Sequence, residues 1–115
     1  MTTRKPDESH IDLTAFLGGW NPDTGSDYPG DIGAEIDQAF RNVDLAIRTA
    51  GGKGWSQVFR LVSYHVVLDD DVFKAMIRNL KEWIPDHQPI WTCIGVAKLA
   101  YPEMNVEIEV VALDE

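Results

Sequence analysis

The chain is short of cysteine, of cations and of long apolar runs, and each shortage removes a class of function. Its one cysteine, Cys93, has no internal partner for a disulfide. The fold must therefore hold by packing, and a reducing compartment is the simplest home. That points to the cytoplasm, with a mitochondrial location compatible. Lys and Arg number 10 against 19 Asp and Glu, for a formal net charge of −9 at pH 7. Contact along a nucleic-acid backbone needs clustered cations, so nucleic acid is not an expected partner, though one local basic pocket fits the count. No apolar run approaches the ~20 residues of a membrane-spanning helix, so no membrane partner is expected. Residues 1–10 are polar and lack the apolar stretch of a secretion signal. The histidines are His10, His65 and His87. No two stand at metal-ligand spacing, so no metal site is expected.

What is present is ordinary for a globular protein: 44% hydrophobic and 25% charged residues in 115 positions. That length suits one domain with a real core and little to spare. Residues 1–13 read as a leader and 14–115 as the domain. A short strand is expected over Ile11–Phe16, followed by turn chemistry from Gly18 to Gly30, rich in Gly and Pro. Ile36, Phe40, Val43 and Ile47 recur at helical spacing, which predicts a helix over Ile32–Ala50. Asp31 would cap it, and Gly51-Gly52 would stop it. Trp55–Leu68 reads as a long strand, rich in Val, Phe, Tyr and Leu. Asp69-Asp70-Asp71 should cap a second helix, Val72–Trp83, which Pro85 ends. Two strands, Trp91–Leu99 and Val106–Leu113, close the chain. The fold class is α+β, two helices on one face of a mixed sheet.

The last strand carries the most chemistry. Val106, Ile108 and Val110 share one face, and Glu107 and Glu109 the other. A carboxylate face resists burial, so the plain reading is a solvated surface. The sharper reading is a face covered by another subunit, with one glutamate serving as general acid or base. Cys93 alone reads as a core residue rather than a nucleophile. Gly51-Gly52-Lys53-Gly54 follows a helix rather than a strand and reads as a helix stop, not a phosphate loop. Four tryptophans, at 20, 55, 83 and 91, are many for this length. They suggest core packing, subunit contacts or the wall of an aromatic pocket.

Three segments resemble the RidA/YjgF family, also called the endoribonuclease L-PSP family. They are Gln38-Ala39-Phe40-Arg41-Asn42-Val43 up to Ala50-Gly51-Gly52, the strand Val58–Leu68, and the ending Pro89–Leu99 with Val106–Ala112. The resemblance covers roughly residues 14–112. It implies a chorismate-mutase-like subunit, three of which close their sheets into a homotrimeric barrel with helices outside and small-molecule clefts at the interfaces. It implies hydrolysis of reactive imines or enamines without metal or organic cofactor. Carried over residue by residue, Glu107 falls on the family's catalytic glutamate and Cys93 on its pocket-lining cysteine. The family's carboxylate-binding arginine falls on Trp91, as in an arginine-lacking branch, and an indole cannot supply a bidentate fork. The family's N-terminal tyrosine and its S-G-Q turn have no match. The resemblance thus implies Glu107 as catalytic residue and Trp91, Cys93, Thr92 and Trp20 as pocket residues, with altered substrate scope. A non-catalytic metabolite-binding or regulatory trimer is the alternative. Ribonuclease activity is a third reading, set back by the shortage of cations.

Overall fold

A computed structural model describes residues 12–113. The elements run β1 (Asp12–Gly18), α1 (Ile32–Thr49), a short 3₁₀ turn (Gly54–Gln57), β2 (Val58–His65), α2 (Asp70–Trp83), β3 (Ile90–Gly95) and β4 (Val106–Leu113). Of the leader expected over residues 1–13, residues 1–11 lie outside the described residues, while Asp12 and Leu13 belong to β1.

Both helices begin where an aspartate can cap them. Asp31 accepts a hydrogen bond from the Ala34 amide at 2.9 Å, and Asp69 one from the Val72 amide at 3.1 Å. The first helix ends in a paired cap. The Gly51 amide donates to the Arg48 carbonyl at 3.0 Å and the Gly52 amide to the Ile47 carbonyl at 2.9 Å. Gly51 sits at φ 95°, a conformation that glycine adopts without penalty. The glycine run is therefore a helix stop, as its position after a helix predicts.

Two strands are shorter than their composition suggests. Trp55 is not in β2 but in the 3₁₀ turn before it. There its ring stacks on Phe40 at 4.7 Å between centroids, and its indole N–H donates to the Phe40 carbonyl at 2.8 Å. A buried indole must place its N–H, and α1 supplies the acceptor. β3 stops at Gly95 rather than Leu99 because its partner stops: the Val96 amide donates to His65, the last residue of β2.

The sheet order is β1-β4-β2-β3. β4 lies antiparallel to both β1 and β2, while β2 and β3 run parallel. A parallel pair needs a crossover, and α2 is that crossover. Ile36, Phe40, Val43 and Ile47 of α1 meet Val106, Ile108, Val110 and Ala112 of β4 in the core. Each Val, Ile or Phe among them contributes about 1.5–3 kcal/mol on burial. Both helices lie on this one face, as the α+β expectation has it. Among the described residues no element covers the opposite face, and β1 and β3 are the edge strands.

Glu35 stands in the first turn of α1, where an acid suits the helix dipole. It is fully buried, and its carboxylate accepts from the Asn105 amide at 2.7 Å, the Asn105 side chain at 3.0 Å and the Val106 amide at 3.2 Å. The acid ties the start of α1 to the entry of β4.

Candidate functional site

Strand pairing decides which predicted site residues share a face. β4 alternates strictly: Val106, Ile108 and Val110 go under the helices, while Glu107 and Glu109 go to the uncovered face, half-buried. Tyr64 is paired with Glu107, and Val62 with Glu109. Across the parallel pair, Thr92 is paired with Val62 and Ile94 with Tyr64, so both belong to this face as well. The Tyr64 hydroxyl donates to Glu109 Oε1 at 2.8 Å. That bond holds the phenol pKa above its usual 10.0, with burial and the glutamate charge adding to the effect. Glu107, the carboxylate singled out from sequence, is not the one engaged by Tyr64.

Trp91 and Cys93 face the other way. Trp91 is paired with Leu61 and Cys93 with Ser63, both on the helix side. The Trp91 indole N–H donates to Ser63 Oγ at 2.9 Å, and Ser63 Oγ lies 2.8 Å from His65 Nε2. An indole nitrogen only donates. Ser63 therefore accepts from Trp91 and can pass its own hydrogen to His65 Nε2, which leaves the hydrogen on Nδ1. Among the described residues, His65 Nδ1 has no partner. Burial lowers the His65 pKa from 6.5 to about 4, so the ring is neutral. Ser63 and His65 are both fully buried. They orient Trp91 from beneath.

Trp20 lies at the opposite edge of the sheet, just past β1. A side chain at Gly18 would meet the Trp20 ring at 3.1 Å, and Gly18 is the cross-strand partner of Glu107. Asn42 fixes this corner by donating to the carbonyls of Gly18 at 2.9 Å and Trp20 at 2.8 Å.

Within the chain the five residues thus stand apart rather than in one pocket. Trp20 and Glu107 stand toward the β1 edge, while Trp91 and Cys93 stand at the β3 edge on the helix side. Thr92 is on β3 with its side chain on the Glu107 face. The Trp91–Ser63–His65 chain was missed by sequence reasoning. Ser63 and His65 are two apart on one strand, which hints at a shared face, but only the β2/β3 register joins them to Trp91. No group of three or more His, Cys, Asp or Glu among the described residues could hold a metal ion, and no described helix is long and apolar enough to cross a membrane.

Solved structures share this architecture. YyfB from Yersinia pestis, a Rid-family protein of unknown function, is 29% identical; the match covers 90% of this chain and 78% of that one, with a TM-score of 0.80. The YjgF gene product of E. coli is 22% identical over 96% of this chain and 89% of its own, with a TM-score of 0.77. Rv2704 from Mycobacterium tuberculosis, of the YjgF/YER057c/UK114 family, is 23% identical over 87% and 75%, with a TM-score of 0.70. A search of curated proteins gave no match. The profile of the endoribonuclease L-PSP family matches residues 12–114, nearly the whole chain. By that match, and by the chorismate-mutase-like arrangement of its helices and sheet, the chain belongs to the endoribonuclease L-PSP (RidA/YjgF) family.

Proposed function

We propose that the protein handles small molecules in clefts between the subunits of a homotrimer, hydrolysing reactive imines or enamines other than those the family arginine selects. The observation that supports this reading is the placement of the site residues: Trp20 just past the β1 edge, Glu107 one strand in on β4, and Trp91, Thr92 and Cys93 on the β3 edge. Closing three sheets edge to edge would bring the β1 edge of one subunit, with Trp20 just past it and Glu107 one strand in, up to the β3 edge of the next, which carries Trp91, Thr92 and Cys93. A head-to-tail contact of this kind closes into a ring. The uncovered face supports it, since Phe16 is 56% and Ile90 67% exposed on a sheet face that no described element covers.

In such a cleft Glu107 would orient and deprotonate water for attack on the C=N carbon. The carbon–nitrogen bond then breaks, leaving a carbonyl compound and ammonia. Trp91 offers an apolar wall in place of a cationic fork, which favours substrates without a carboxylate at that end. The same substitution supports the second reading, a non-catalytic trimer that binds metabolites, since the family's anion clamp is absent.

The test supplies imines in situ from an amino-acid oxidase and from an amine oxidase, and follows carbonyl release. The expected result is acceleration with the amine-derived imine, reduced at least about tenfold in Glu107→Gln, and a gain on imino acids in Trp91→Arg. No acceleration with either class would overturn hydrolysis and leave the binding reading to a thermal-shift panel.

A further inference from the structure

The helix layer carries a groove beside β3, an edge strand of the described sheet. Ile77, Leu80 and Ile84 form one wall, Pro89 and Trp91 the other, with His87 and Gln88 at its rim, around a volume of about 260 Å³. A cavity of about 150 Å³ already accepts a benzene ring. The groove therefore has room for one ring with a short chain.

Its polar groups are few and mostly committed. The Trp91 indole N–H is spent on Ser63. His87 Nε2 lies 2.7 Å from the Val58 carbonyl. A carbonyl only accepts, so Nε2 carries the hydrogen and is committed to Val58. Neither wall presents a strong donor to an anion.

The cation comes from the helix beside it. Lys81 follows Ile77 by four residues and precedes Ile84 by three, so it stands one turn from each on α2. Lys74 precedes Ile77 by three. Lys74, Arg78 and Lys81 form one row, and with Ile77 and Glu82 they line an outer hollow that shares Ile77 with the groove. Arg78 is engaged by Asp37 at 2.9 Å. Glu82 lies beyond the row, away from Ile77 around the helix, and Asp86 precedes His87 in the exposed loop. On this 14-residue helix Lys74, Arg78 and Lys81 are matched by three acids, but Asp70 and Asp71 lie in its first turn, away from the groove. Lysine stems lie along apolar surface while the ammonium stays at the rim, which suits Lys81 to the groove mouth.

We infer that the α2/β3 groove binds a small amphipathic carboxylate, its apolar body against Ile77, Leu80 and Trp91 and its charge at Lys81. The site requires neither a second subunit nor imine hydrolysis, although it shares the Trp91 ring with the cleft proposed above.

Phenylacetate is the probe, with phenylacetamide as its neutral match. Methyl NMR of Ile77, Leu80 and Ile84, together with the Trp91 indole N–H signal, reports occupancy. Saturable shifts confined to these groups are expected with phenylacetate at millimolar concentration. Binding should weaken about tenfold for phenylacetamide and for Lys81→Met, a change of about 1.4 kcal/mol. Ile77→Glu, at a position 43% exposed and so tolerant of a charge, should abolish it. Equal affinity for the amide, unchanged binding in Lys81→Met, or shifts on the Glu107 face instead would overturn the assignment. An imine assay on the same samples separates the two proposals. Phenylacetate binding without hydrolysis counts against the enzyme alone; hydrolysis without groove binding counts against the groove alone.

Discussion

His65 is neutral because of where it sits, and the consequence can be measured as a pH dependence of stability. In the unfolded chain its imidazole titrates near 6.5, and in the folded protein near 4. Between those values the unfolded state binds the extra proton, so folding stability falls as pH drops through the window. It is fully present above pH 6.5 and lost by about pH 4. A shift of this size corresponds to about 3 kcal/mol. Thermal melts from pH 7 to pH 4.5 should show this loss in the parent protein, and His65→Leu should flatten it. A variant with the parent's slope would place the titration elsewhere. The same residue shows how far sequence carried. His65 is visible as a strand histidine without a metal partner, but its burial and its bond to Ser63 follow from packing against the helices, which no local spacing states.

At the scale of elements, the caps were the most legible features. Asp31, Asp69 and Gly51 mark their helix ends through bonds to residues within four positions, so the signal is local. Trp55 was misread because its residue type suits a strand, while its actual position is set by the Phe40 carbonyl on another element. The end of β3 was overextended for a related reason: a strand lasts only as long as its neighbour. Glu35 was hidden most thoroughly, since its three donors come from residues about seventy positions away. Removing it tests that tie. Glu35→Ala strands the amides of Asn105 and Val106 and should cost about 3 kcal/mol in urea unfolding, whereas Glu35→Gln keeps an acceptor and should cost about half as much. Equal losses would mean that charge, not acceptor geometry, holds the joint.

At the scale of the whole molecule, the uncovered sheet face is the largest feature the chain leaves unexplained by itself. The alternation of β4 made the Glu107/Glu109 face legible, but not the exposed Phe16, Ile90 and Ile94 that share the sheet with it. Nothing among the described residues covers them. Light scattering is expected to give the mass of three chains. Phe16→Glu and Ile90→Glu, each placing a charge on this face without touching the core, should return the mass of one chain while leaving circular dichroism unchanged. A parent protein already at the mass of one chain would remove the edge-to-edge cleft, and with it the meeting of Glu107 and Trp91.

The pairing of β1 with β4 sets Asp12 opposite Leu113. Almost the entire polypeptide lies between these two neighbours, so forming this pair closes the longest loop in the fold, and the entropy cost of closure grows with loop length. Joining the two strands through a short peptide bridge would turn that distant encounter into a hairpin. New ends could then be opened in the exposed turn around Thr24 and Gly25. A rearranged chain of this kind would keep every rung of the sheet while bringing its slowest contact within immediate reach.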